Sequence, residues 1–295
     1  MPSHPKPLRV AFQGEPGAFS EAAAIQLLGP EIITVPRATF DAVFRAIPDG
    51  AADALLVPVE NSLAGSVVRV YDLLVENREN RLTITAETIL PIELNLIAVP
   101  GASLDKIQSV ASHPMALAQC ERFFAQHPLF KRVPAEDTAG SVREVLGRGD
   151  KISAAIAGRR AADYYKGVIL AEKIQDNSEN FTRFVLLRRE SDAAAIAPTA
   201  DARKMSVAMQ LAHRPGALLA ALEPFARRNI NLRKIESRPI HGQPWAYQFI
   251  LEIEADKPEL LDAALAEARK STNDLRVLGL YVAAKTDPAR TAAPK

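Results

Sequence analysis

The chain has 295 residues, 48% of them apolar and 24% charged, with a formal net charge of +1. That length suggests two or three domains with sizeable cores, and the near-neutral balance gives no ground for a nucleic-acid or membrane partner. A single cysteine, Cys120, excludes an intrachain disulfide and a thiolate zinc site and fits a reducing compartment.

The N-terminal MPSHPKPLRVAFQG lacks the apolar core of a secretory signal. No apolar run reaches the roughly 18 residues that a membrane helix needs. The expectation is a soluble, cytoplasmic protein.

Strand-like and helix-like segments alternate through the first part. LRVAFQG (8–14) reads as a strand and FSEAAAIQLLG (19–29) as a helix. ADALLVPVE (52–60) and LNLIAVP (94–100) read as strands. IQSVASHP (107–114) runs into a helix, MALAQCERFFAQ; RVPAED (132–137) into TAGSVREVL; KISAAIAG (151–158) into RRAADYY. This alternation indicates an α/β layer structure with mainly parallel strands.

Residues 190–204, ESDAAAIAPTADARK, are Ala-rich and non-periodic and read as a linker. Beyond it the order is strand KMSVAMQL, helix PGALLAALEPFARRN, strands INLRKIESRP and WAYQFILEIE, helix PELLDAALAEARK and strand LRVLGLYV. That βαββαβ order is ferredoxin-like. The tail, 285–295, is expected to be disordered.

Polar residues gather where strands give way to helices: Ser20, Asn61 with Ser62, His113 after Ser112, and Thr138 after Asp137. Asn, Ser, Asp and Thr are the usual N-caps, and each position alone is explained by capping. Their common placement points further. Ligands of open α/β sheets bind at the carboxyl ends of strands, where helix N-termini favour anions. FQGEPGAFSE (12–21) lacks the lysine of a phosphate loop and makes a tight turn that presents Ser20. His113 is the histidine best placed for acid–base work, with a structural cap as the plainer reading. No His, Cys, Asp or Glu set has metal-ligand spacing. Cys120 sits in a helical pattern without an activating base and reads as packing.

NFTRFVLL (180–187) reads as a buried strand. Thr182, Phe184 and Leu186 share one face; Phe181, Arg183, Val185 and Leu187 share the other. Asn180, Thr182 and Arg183 cluster at its start, where a hydroxyl can meet a ligand. Structural filler is the competing reading, since threonine suits strands.

The ordered set FQGEPGAFSE, PVENSLAGSV, SHPMALAQC, DTAGSV, AAIAGRRAADYY, NFTRF and RPGALLAALEPFARRNINLRKIESRP resembles the prephenate dehydratases that carry a C-terminal ACT regulatory domain. The resemblance implies a bilobal, type 2 periplasmic-binding-protein-like catalytic domain over 8–189. Its lobes would be about 8–90 plus 175–189, and 91–174, joined by crossovers at 81–96 and 173–184. The linker 190–204 and an ACT domain over 205–284 would follow. The first strand begins near Leu8, which implies a monofunctional enzyme without the chorismate mutase domain of some relatives.

The implied reaction converts prephenate to phenylpyruvate in phenylalanine biosynthesis, with loss of carbon dioxide and water and without a cofactor. Thr182 maps to the family's essential threonine, which assists the leaving hydroxyl. Ser20, Asn61, Ser62, His113, Thr138, Asn180, Arg183 and Phe184 are the implied substrate neighbours. Phe184 and Phe181 are candidates for ring packing, with one of them filling core, and Arg183 holds either a carboxylate or an internal salt bridge. Gly216, Ala217 and Leu218 with Glu236, Ser237 and Arg238 map to the regulatory phenylalanine site, which implies a homodimer or homotetramer. Two alternatives stand beside this reading: an arogenate dehydratase, and a non-catalytic amino-acid-binding sensor.

Overall fold

In the first apolar run, Val10, Ala11 and Phe12 are fully buried, so strand β1 (Arg9–Gln13) is covered on both faces. The computed structural model describes residues 6–77, 81–193, 201–240, 242–243 and 245–284. Part of the expected linker (194–200) and the expected tail lie outside these.

After β1 come α1 (Phe19–Leu28), β2 (Ile33–Arg37), α2 (Phe40–Arg45), β3 (Ala54–Asn61), β4 (Gly65–Ser66), α3 (Val68–Glu76) and β5 (Leu82–Pro91). The second lobe holds β6 (Asn95–Ala98), β7 (Ser109–Ser112), α4 (Pro114–Ala118), α5 (Glu121–Gln126), β8 (Lys131–Pro134), α6 (Thr138–Arg148), β9 (Ser153–Ala157), α7 (Arg159–Tyr165) and β10 (Val168–Ala171). β11 (Phe181–Arg189) then returns to the first sheet and is followed by the short α8 (Glu190–Ala193).

The two sheets repeat one plan. The first has the order β2-β1-β3-β11-β5, with β4 pairing β3; the second has β8-β7-β9-β6-β10. In each, the lobe's first strand lies between its second and third, and the crossover strand takes the fourth place. This is the type 2 periplasmic-binding-protein order that the resemblance implies. The expectation of mainly parallel strands holds for β1 with β2 and β3, and for β7 with β8 and β9. It fails for β6, which runs antiparallel to both β9 and β10 because a crossover delivers it from the opposite end.

The expected helix MALAQCERFFAQ is two helices, α4 and α5. The crossover from 173 to 180 docks at the break. Asp176 donates its backbone N–H to the Gln119 carbonyl (2.7 Å), and its carboxylate accepts from the N–H groups of Glu121 (2.8 Å) and Arg122 (2.9 Å). A carboxylate from a distant segment thus caps α5, whose own cap position, Cys120, offers no side-chain bond.

The chain divides into two compact units, 1–67 with 89–184, and 68–88 with 185–295. This partition sets 68–88 and 185–189 with the C-terminal residues. In the second unit β12 (Lys204–Gln210), α9 (Ala217–Ala226), β13 (Asn231–Pro239), β14 (Tyr247–Glu254), α10 (Pro258–Ala268) and β15 (Asp274–Tyr281) form an antiparallel sheet of order β13-β14-β12-β15. This is the expected ferredoxin-like fold. One core joins α9 and α10 to the sheet through Met205, Val207, Met209, Phe225 and Leu261. Residues 68–88 meet side chains of the opposite parity on β12 and β14. Tyr71 donates to Glu252 (3.2 Å), and Lys204 binds both Glu87 (2.9 Å) and Glu252 (3.1 Å).

Candidate active site

β3 and β11 bring four of the expected residues into one hydrogen-bonded group. Asn61 ends β3, and its Oδ1 accepts from the backbone N–H of Leu63 (3.0 Å) and Ala64 (2.9 Å). Two backbone donors therefore fix the amide's orientation, and Nδ2 must face β11. There it donates to Asn180 Oδ1 (2.8 Å), Thr182 Oγ1 (2.9 Å) and the Phe181 carbonyl (3.1 Å). An amide nitrogen carries two hydrogens, so one is shared among these acceptors. Asn180 is buried and donates onward to Gln119 Oε1 (2.9 Å).

Thr182 is 9% exposed. Its one recorded bond, from Asn61, uses an oxygen lone pair. The hydroxyl hydrogen is left uncommitted among the described residues and can be given to a bound ligand. Ser62 commits its hydrogen instead: its hydroxyl donates to the Glu179 carbonyl (2.8 Å) and accepts from the Phe181 N–H (2.9 Å). It anchors the start of β11.

Several sequence expectations change here. Asn61 and Ser62 do not precede a helix; they open a turn into β4, and α3 begins only at Val68. Ser20 is no cap. Ala18 holds that position, and Ser20 is the second residue of α1, buried, its hydroxyl making no bond among the described residues. Asp137 caps α6 through the Gly140 N–H (2.6 Å), and Thr138 is the first helical residue. His113 caps the five-residue α4, its Nδ1 accepting from the Met115 N–H (3.2 Å). That nitrogen serves the cap, which leaves Nε2 without a bond among the described residues. Arg183 lies opposite Thr182 across the strand and pairs with Glu60 (2.8 Å), the internal bridge of the two alternatives. Phe184 is 2% exposed and fills core, whereas Phe181 is half-buried on the face it shares with Arg183.

Sequence reading missed the contact that sets the two lobes against each other. Glu21, buried in α1, accepts from the Gly17 N–H (2.8 Å), the Thr34 hydroxyl (2.9 Å) and Arg160 Nε of α7 (3.1 Å). Gly17 has φ +91°, and a Cβ there would lie 2.7 Å from the Ala161 Cα. Only glycine lets the turn and α7 meet so closely. Glu15 pairs with Arg143 of α6 (2.7 Å) and holds that guanidinium's pKa above its usual value. The EPG turn that presents Ser20 is thereby fixed against both second-lobe helices. Neither Ser20 nor Thr138 is hydrogen-bonded to the Asn61–Thr182 group.

Burial, with the nearby Asp176 and Glu121 charges, pushes the Cys120 thiol up to about 12. A thiol held neutral is a poor nucleophile. Among the described residues no three His, Cys, Asp or Glu side chains group as a metal site, and no helix is long and apolar enough to cross a membrane.

In the second unit Gly216 takes φ +76° at the head of α9, ahead of the buried Ala217 and half-buried Leu218. A cavity of about 450 Å³ adjoins them, lined also by His213, Arg214, Tyr247 and Phe249. Glu236, Ser237 and Arg238 lie on β13, at the sheet's edge. Arg238 is engaged by Asp72 of α3, through Nε (2.9 Å) and Nη2 (3.0 Å), which raises its pKa further.

Comparison with known proteins places the family and the fold. The family profile "Prephenate dehydratase" matches residues 10–192, and "ACT domain" matches 206–269. Arogenate dehydratase 1 of Petunia hybrida is 41% identical over 95% of this chain and 68% of its own length. A prephenate dehydratase from Arthrobacter aurescens in complex with L-Phe superposes with a TM-score of 0.83 at 32% identity, covering 94% of this chain and 90% of that one. GqqA, described as a novel type of quorum quenching acylase, superposes at 0.85 with 32% identity, over 96% and 99%.

Proposed function

The chain belongs to the prephenate dehydratase family, and from that premise we propose that it dehydrates and decarboxylates prephenate to phenylpyruvate, with Thr182 assisting the leaving hydroxyl. The observation that carries the assignment is the Asn61–Thr182 hydrogen bond. Its direction leaves the threonine hydrogen free to donate. In the reaction the ring carbon–carboxylate bond breaks and releases carbon dioxide. Its electron pair enters the ring, and the 4-hydroxyl departs with one added proton as water. Hydroxide is a poor leaving group, so a donor at that oxygen lowers the barrier. A threonine hydroxyl is a weak acid. Thr182 therefore hydrogen-bonds the departing oxygen and relays a proton as charge develops.

The carboxylate that leaves is favoured by weak solvation, so its pocket should be weakly polar. Ser20 and Thr138, near the starts of α1 and α6 and with hydroxyls that bond nothing among the described residues, suit the side-chain carboxylate, where helix N–H groups add favourable dipoles.

The deciding experiment replaces Thr182 by valine, which keeps the shape and removes the hydroxyl. Loss of one acid–base group lowers kcat on the order of 10²–10⁴-fold, with KM little changed. A valine variant retaining wild-type kcat overturns the assignment.

The Petunia relative favours a second substrate, arogenate, which keeps the side-chain amine. Parallel turnover of both substrates, read as phenylpyruvate against phenylalanine, ranks them.

The ACT domain is read as the effector module, with phenylalanine inhibiting. Exposed Leu232 and Ile235 on the edge strand β13 favour self-association into a dimer or tetramer, which light scattering tests.

A further inference from the structure

The segment 176–180, which leads from the second lobe into β11, is fastened at both ends to one residue, Gln119. At its start the Asp176 N–H donates to the Gln119 carbonyl (2.7 Å). At its end the buried Asn180 donates through Nδ2 to Gln119 Oε1 (2.9 Å). Thr182 lies two residues beyond that second fastening.

Gln119 itself stands at a weak point of the fold. It is the C-cap of the five-residue α4, and Cys120, the N-cap of α5, offers no side-chain bond. The last carbonyls of one helix and the first N–H groups of the next need partners from elsewhere. Asp176 serves both. Its N–H meets the Gln119 carbonyl, while Oδ2 and Oδ1 accept from the N–H groups of Glu121 (2.8 Å) and Arg122 (2.9 Å).

The hold on Gln119 reaches Thr182 through hydrogen bonds. A side-chain amide has one donating and one accepting end. With Nδ2 of Asn180 on Gln119, its Oδ1 is turned to Asn61 Nδ2 (2.8 Å), the group that also donates to Thr182 Oγ1 (2.9 Å). The segment between the two fastenings is short and internally bonded. Asn177 Oδ1 accepts from the Glu179 N–H (2.8 Å), and the Asn180 carbonyl accepts from the Ile92 N–H (2.8 Å). A shift at Asp176 is therefore passed along to β11 rather than absorbed.

We propose that Asp176 is a positioning residue for the dehydration: by capping α5 it holds Gln119, and through Gln119 and Asn180 it sets where Thr182 presents its hydroxyl. The role presupposes the assignment of Thr182 to the leaving oxygen. The competing account is a surface ion pair with Arg122 (3.5 Å), whose side chain is 75% exposed. Such pairs contribute little and would leave catalysis alone.

The test follows prephenate turnover by the full-length protein, well below the thermal midpoint of each variant. Asp176→Ala removes both acceptors. It should lower kcat by up to about 10²-fold with KM within about threefold, the effect of moving an aligned group by about 1 Å. Asp176→Asn keeps one acceptor and should recover part of the loss, and Arg122→Ala should match the wild type. Asn180→Ala cuts the link between Gln119 and Asn61. In that background a further Asp176→Ala change should cost less than about threefold, because both act on one chain of bonds. Where Asp176→Ala fails to fold, Asp176→Asn takes its place in the same cycle. Wild-type kcat in the Asp176 variants overturns the proposal. So does a double variant in which the two losses multiply, which makes Asp176 a helix cap alone. A wild-type protein that forms no phenylpyruvate overturns the Thr182 assignment and this role together, whereas the variants overturn the role alone.

Discussion

Replacing Asn61 by aspartate changes one donor group into an oxygen and little else. In the native chain, Nδ2 faces three acceptors, at 2.8 Å (Asn180 Oδ1), 2.9 Å (Thr182 Oγ1) and 3.1 Å (Phe181 carbonyl). The amide cannot flip to relieve the conflict, because Oδ1 is held by two backbone N–H groups. The new carboxylate oxygen would face three lone pairs. Thr182 has one remedy, to rotate and donate its hydrogen to the carboxylate, which withdraws that hydrogen from the substrate. Asn180 Oδ1 is then left buried without its donor, at a cost of about 1–3 kcal/mol. The catalytic loss approaches that of losing the hydroxyl, on the order of 10²–10⁴-fold in kcat. Asn61→Ala, which leaves the hydrogen free but unguided, should lose less. This order, aspartate worse than alanine, is opposite to what side-chain volume alone predicts. The pH dependence separates the causes further. A carboxyl facing acceptors has its pKa raised, and its neutral form can donate to Thr182. Activity of the aspartate variant should therefore recover as pH falls below that pKa and disappear as pH rises through it. Phenylpyruvate formation, with the uncatalysed rate subtracted, is followed across mildly acidic to mildly basic buffers. An aspartate variant within about threefold of wild-type kcat, or one more active than the alanine variant at every pH, refutes the reasoning.

Other outcomes follow from the same structure. Gly17→Ala puts a Cβ 2.7 Å from the Ala161 backbone at φ +91° and should cost about 2–4 kcal/mol, measured by denaturant unfolding. Lys204→Met leaves Glu87 and Glu252 buried without their shared cation. It should destabilise by about 3–5 kcal/mol, and adding Glu87→Gln should recover part of that loss. Cys120, raised from 9.0 to about 12, should resist thiol reagents in the folded protein near pH 8 and react once unfolded. Because its folded pKa is the higher, its contribution to stability is intact below pH 9.0 and is lost as pH rises toward 12, seen as a falling denaturation midpoint. His113→Ala should remove a cap worth about 0.5–1 kcal/mol while leaving kcat nearly unchanged, since its ring nitrogen serves the Met115 N–H.

What the sequence made legible were features set by local alternation and order. The two-residue period of NFTRFVLL placed Thr182 and Arg183 on opposite faces, and the Arg183–Glu60 bridge follows from that period. The βαββαβ order of the last part specified its sheet. What it hid were partners distant along the chain. Asn61 looked like a helix cap because β4, two residues long, carries no periodic signal; its true partner, Thr182, lies 121 positions away. MALAQC-ERFFAQ looked like one helix because the carboxylate that divides it, Asp176, arrives from the crossover. Arg238 looked like a ligand residue on its own, yet its orientation is set by Asp72, 166 positions earlier. The pattern has a physical cause. A polar side chain at a strand end is equally well satisfied by a cap, a turn or a remote partner, and only the fold selects among them. At Asn61 the selection determines chemistry, since the turn fixes which amide atom faces Thr182 and so where the threonine's hydrogen can point.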